Sequence, residues 1–208
     1  GKSFEVPLPE GFVRVDGASA VFDQVLAASL PATNKLLAFY GTEQNLTDLE
    51  GGKNTEMTRN FNVQSINEQM DCSLTDFAFI SKQIEDEMES GMKMTQAEFE
   101  KSQNNTNEVL SDLSDDQIAI DLGRPVPLGV LGKGETWITF ALKAPMQTQA
   151  GDETLTQIST TVNTMILVNN KVIGLYGTHI DGGEGALEQL KKELDAWRTA
   201  IEKANAAQ

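Results

Sequence analysis

Residues 155–168 read LTQISTTVNTMILV, residues 171–180 read KVIGLYGTHI, and Asn169-Asn170 stands between them. Two β-prone runs joined by two residues predict a hairpin. A type I′ loop requires positive φ at both central positions, and Asn tolerates that conformation better than other side chains. This loop sets a register: Val168 opposite Lys171, Ile166 opposite Ile173, Thr164 opposite Leu175 and Thr160 opposite His179. The other face pairs Leu167 with Val172, Asn163 with Tyr176 and Thr161 with Thr178. From Met165 to Val168 both faces are apolar, whereas around Gln157 to Thr161 one face is polar. The tip of the hairpin therefore needs cover on both sides and its far end on one.

The cover follows directly. In GEGALEQLKKELDAWRTAIEKA (183–204), Leu187, Leu190, Leu194, Trp197 and Ile201 recur at spacings of three or four. That spacing predicts an amphipathic helix over about Glu184 to Ala204 with one apolar face. Burying five such side chains stabilises the fold by roughly 1.5–3 kcal/mol each.

Working outward, Phe4 to Leu8 and Phe12 to Val15 read as strands, and Ser19 to Leu30 as a helix stopped by Pro31. Lys35 to Tyr40 and Thr58 to Ile66 read as strands, with a polar loop over Thr42 to Asn54. Ser73 to Met88 reads as a second helix, opened by a Ser73/Asp76 cap and striped by Phe77, Ile80, Ile84 and Met88. Ile118 to Leu122, Pro127 to Leu131 and Thr136 to Leu142 read as further strands, and Met146 to Asp152 as a connection. No repeat or linker divides the chain, so one domain over 1–208 is expected, with a helical insertion at about 88–112. The second half lacks βαβ alternation. The fold class is α+β: a mostly antiparallel sheet with helices on both faces, an α/β/α sandwich.

The 208 residues carry a net charge of −15, with acids in excess in both halves. Such a surface repels polyanions, so no nucleic-acid partner is expected and anionic membrane surfaces are poor partners. No apolar run is long enough to span a bilayer. A single cysteine, Cys72, rules out an intrachain disulfide. The chain opens on Gly1-Lys2-Ser3 and its first predicted strand follows at once. We take this as the mark of a removed export signal, giving a periplasmic or secreted protein, with a lipid anchor through the removed segment as one form and a cytoplasmic location as the alternative.

His179 is the only histidine, and Asp181-Gly182-Gly183-Glu184-Gly185 follows it. His179, Asp181 and Glu184 are the candidate ligand-binding residues, because imidazole and carboxylate can hold a ligand or metal. The same residues better suit a strand end, a tight turn and an acid at the positive end of a helix. No metal or cofactor is assigned. The glycines lack the phosphate-binding spacings, and the acids beside them repel phosphate. Cys72 precedes a helix start and would need His179 as its base to act as a nucleophile. No Gly-x-Ser-x-Gly elbow is present. Met88, Met92 and Met94 flank Gly91, and their flexible thioethers make them the candidate partner surface.

The opening Phe4-Glu5-Val6-Pro7-Leu8-Pro9-Glu10-Gly11-Phe12, the paired strands through Met165 to Tyr176 and the last helix with Trp197 together resemble the PsbP-like and Mog-like α/β/α domains. The resemblance implies a binding or assembly factor of the uncharacterised bacterial exported branch, and it transfers no site residue. The expected function is a non-catalytic exported protein that binds a protein partner or assists envelope assembly. The alternative is an enzyme or a small-ligand or metal-binding protein with its site near His179, Asp181 and Glu184.

Overall fold

A computed structural model describes residues 4–31, 33–53, 55–67, 69–91, 104, 118–150 and 153–206. The described strands are β1 (Val13–Arg14), β2 (Asn34–Gly41), β3 (Arg59–Ile66), β4 (Ile118–Leu122), β5 (Val126–Lys133), β6 (Trp137–Ala150), β7 (Glu153–Val168) and β8 (Lys171–Ile180). The described helices are α1 (Ala20–Ser29), α2 (Glu43–Glu50), α3 (Leu74–Ser90) and α4 (Ala186–Asn205). All eight strands join one antiparallel sheet in the order β1-β2-β3-β8-β7-β6, with β4 and β5 sharing the far edge of β6. The class is α+β, as the sequence predicts.

The β7–β8 hairpin has the predicted register. Val168 faces Lys171, Ile166 faces Ile173, Thr164 faces Leu175 and Thr160 faces His179. Asn169 and Asn170 hold φ of 50° and 65°, the two positive values that a type I′ loop demands.

Strand alternation sorts the core into two faces. On one, Leu190, Leu194, Trp197 and Ile201 of α4 pack on Phe61, Val63, Val162, Ile166, Ile173 and Leu175. Gly177 lets the helix settle, since a Cβ there would lie 2.8 Å from Phe61 Cε1 and 3.0 Å from Leu194 Cδ1. On the other face, Ile66, Ile138, Met165, Leu167 and Val172 gather with Cys72 and with Phe77, Ile80 and Ile84 of α3. Met165 and Leu167 alternate with Ile166 and Val168 along β7, so α3 and α4 cover opposite sides of the tip. A third cluster joins Phe22 and Leu26 of α1 and Leu46 and Leu49 of α2 to Val15 and Phe39.

Three segments differ from their predicted form. Phe4 to Leu8 is extended but pairs with no described strand. Pro7 and Pro9 lack the N–H groups of a ladder, and the segment docks on α4 instead: Trp197 Nε1 donates to the Pro7 carbonyl at 2.7 Å, and Glu5 N donates to Asn205 Oδ1 at 2.9 Å. The predicted loop at 42–54 contains α2. Its capping box pairs the Thr42 hydroxyl with Asn45 N–H, and Asn45 Oδ1 with Thr42 N–H. The predicted connection over 146–152 is instead strand as far as Ala150, because β4 pairs with Met146 to Ala150 and β7 continues opposite. Most of the insertion expected at 88–112 lies outside the described residues; Met88 to Ser90 form the last turn of α3.

Candidate functional site

The turn after β8 holds the three sequence-predicted ligand residues, and each is engaged separately. Asp181, at φ 51°, exchanges bonds with β7: Oδ1 accepts from Ile158 N at 2.7 Å, and its own N–H donates to the Ile158 carbonyl at 2.8 Å. It clamps the hairpin's open end. Glu184 is exposed in the turn leading to α4. His179 lies opposite Arg59 on β3 and Thr160 on β7. Gly182 closes over it, since a Cβ there would come within 2.5 Å of the imidazole. Its Nδ1 is buried with no hydrogen-bond partner among the described residues. Burial pulls the imidazole below its ordinary pKa; the Arg59 guanidinium lowers it further, and Glu193 opposes both. The neighbouring Arg59–Glu193 pair is closed at 2.6 Å, with the guanidinium 5.2 Å from the Phe12 ring centroid. Among the described residues, no group of three or more His, Cys, Asp or Glu side chains is arranged to hold a metal ion.

Met88 is buried at 8% exposure in the last turn of α3. Met92 and Met94 lie outside the described residues. Cys72 is also buried, and burial, with Asp76 second, pushes its thiol up. Its N–H donates to the Asn170 carbonyl at the hairpin tip. His179 stands at the other end of β8, roughly 30 Å away at ~3.3 Å per residue. The two cannot act as nucleophile and base.

The middle of the α3-side face carries a polar row that the sequence reading missed. Asn62 on β3 lies beside Tyr176 on β8, Tyr176 beside Asn163 on β7, and Asn163 beside Phe140 on β6. Phe39 on β2 stands next to Asn62 at the other end. The flanking rows add Asn60, Thr178 and Thr161 on one side and Gln64 and Gly174 on the other. Part of this surface is self-bonded. Asn34 Nδ2 donates to Gln64 Oε1 at 2.9 Å, Gln64 Nε2 to Asn62 Oδ1 at 2.8 Å, and Asn60 Nδ2 to the Met57 carbonyl at 3.1 Å. Asn163 is 3% exposed; among the described residues neither its carboxamide nor the Tyr176 hydroxyl has a hydrogen-bond partner, and neither is fully closed to solvent. Burial pushes the Tyr176 phenol up to about 12, so it stays neutral. The alternation of Asn60, Asn62 and Gln64 was readable in the chain. What the chain does not give is the pairing of β3 with β8, which brings those residues to the hairpin's polar face.

An open pocket of about 610 Å³ lies between α1 and β2, lined by Asp16, Asp23, Leu30, Lys35 and Leu36 among others. Its carboxylates are committed to the fold: Asp16 Oδ1 accepts from Phe39 N at 2.7 Å, and Asp23 accepts from Gly17 N at 3.0 Å. No described helix is long and apolar enough to cross a membrane. No family model matches the sequence, and no curated protein matches it significantly.

Proposed function

We propose that this is a non-catalytic, exported bacterial protein that binds a protein partner or assists envelope assembly. The observation that supports this most is a set of exposed apolar side chains before and along the start of α3. Met70, Leu74 and Phe79 are 61%, 51% and 65% exposed at the start of α3. Large apolar side chains left in water are what a contact surface presents to a partner. The stretch is held on a rigid mount: the Lys171 ammonium donates to the Met70 carbonyl at 3.1 Å and pairs with Asp71 at 3.0 Å. The absence of catalysis is supported by the separation of Cys72 from His179 and by the clamp role of Asp181. The envelope location rests on the outline resemblance to PsbP-like and Mog-like domains.

The test is site-specific photocrosslinking in cells. A photoreactive residue at position 79 should give a discrete adduct in the envelope fraction, and one at the exposed Lys192 of α4 should not. No adduct at 79, or equal adducts at both positions, would contradict the partner surface. Recovery of the protein only from the cytosol would contradict export.

A further inference from the structure

We propose that the cleft between α1 and β2 binds a small amphipathic amine, an apolar body carrying one ammonium group. The cleft is built from other residues than the exposed side chains at 70–79, so it does not depend on that surface. Three observations converge. The first is space. The cleft is open and holds about 610 Å³, within the roughly 300–1,000 Å³ of small-molecule sites.

The second is apolar surface that the fold does not use. The α1 sequence AVFDQVLAAS is apolar apart from Asp23, Gln24 and Ser29, yet none of its residues is buried. In α4, by contrast, Leu190, Leu194, Trp197 and Ile201 are all buried. A helix as apolar as α1 that packs so lightly leaves surface for a ligand to cover. Ala27 and Leu30 on this side meet Pro31 and Leu36 across the cleft as its apolar lining.

The third is fixed negative charge. Asp16 and Asp23 both line the cleft, against one ammonium, the exposed Lys35. The bonds that commit these carboxylates to the fold also hold them still. Asp16 is already neutralised by Arg14 at 2.6 Å. The Asp23 oxygens accept only the Gly17 N–H among the described residues, at 3.0 and 3.1 Å. A carboxylate offers about four lone-pair sites, so Asp23 keeps capacity for a further donor. A neutral apolar ligand would strip water from these groups and return nothing. An anion would meet two carboxylates on a chain of net charge −15. An ammonium replaces the lost water with a charge-assisted hydrogen bond.

The experiment is NMR titration of the full ¹⁵N-labelled chain with hexylamine and phenethylamine, and with hexanol and hexanoate as chain-matched controls. At least one amine should shift the backbone amides of Gly17 and Asp23 saturably at millimolar concentration, and bind at least about tenfold more tightly than either control. Asp23→Asn keeps an oxygen for the Gly17 N–H and removes the charge. It should weaken amine binding about tenfold, the effect of one lost charge-assisted contact. Ala27→Trp puts an indole into the cleft and should abolish the shifts; it gives the second reading if Asp23→Asn does not fold. The proposal is overturned if neither amine shifts these amides, if hexanol or hexanoate binds as tightly, or if either folded variant binds the amine like the wild type. Amine shifts as large along the acidic residues of α3 as at the cleft would overturn it too, because binding would then follow net charge alone.

Discussion

Two single residues show how local chemistry fixes the hairpin at its tip and base. Asn170 sits at φ 65° and its carbonyl also receives the Cys72 N–H at 2.8 Å. Left-handed backbone costs an ordinary L-residue roughly 1–2 kcal/mol. Asn170→Ala should therefore lower the urea-unfolding free energy by about 1 kcal/mol, and Asn170→Gly should leave it unchanged or raise it. At the base, His179 is held neutral by burial and then by Arg59, against the pull of Glu193. Its folded pKa is thus below the unfolded value. Between the two values the unfolded chain binds more protons, so this residue's contribution is complete above about pH 6.5 and is lost as pH falls through the folded value. Thermal melts at stepped pH should show the wild type losing more stability than His179→Gln over that acid range. Equal losses would remove His179 as a source of acid sensitivity. Asn45-Leu46-Thr47 has the Asn-x-Thr pattern of a glycosylation acceptor, and the fold itself occupies that asparagine. Asn45 is 6% exposed and its amide is used within the fold, bonding Thr55 Oγ1 at 2.9 Å.

At the scale of elements, helix ends and helix faces carry separable amounts of stability. Ser73 accepts from Asp76 N–H at 3.2 Å, and the Asp76 carboxylate accepts in return from Ser73 N–H at 3.0 Å. Ser73→Ala should cost about 1 kcal/mol, the usual effect of losing a side-chain N-cap. Leu194 is fully buried against Gly177 and the sheet, and Leu194→Ala should cost about 2–5 kcal/mol by chemical denaturation. Both elements were legible because their signals are local: a cap three residues from its partner, and a stripe repeating every three or four. α2 was not, because its box uses Asn45 where Glu or Gln is the usual partner, and its eight residues show few apolar positions. The far half of β6 was not legible either. Pro145 to Ala150 has little apolar alternation, and those residues are strand because β4 and β7 flank them.

At the scale of the whole molecule, one sheet has two differently used faces. The α4 side is closed: even its polar pair, Thr139 and Thr164, is buried and mutually bonded at 2.8 Å. The α3 side is apolar at the hairpin tip and polar across its centre. The hairpin's share of that centre was visible in the sequence as Asn163 opposite Tyr176 and Thr161 opposite Thr178. The row across three strands was not, because strand order is a long-range property that a single chain does not spell out. The central claim is that the α4 side is built for stability, whereas the polar centre of the other side adds little to it. Val162 and Asn163 are neighbours in β7 that face opposite ways, which makes them the sharpest comparison. The direct measurement is the thermal midpoint of Val162→Ala and of Asn163→Leu, a near-isosteric change. Val162→Ala should lower it, as loss of a buried side chain does. Asn163→Leu should leave it unchanged or raise it, since no hydrogen bond among the described residues is lost with the carboxamide and an apolar side chain of similar size replaces it. A fall in Asn163→Leu as large as that in Val162→Ala would contradict the account, because Asn163 would then be holding the fold together.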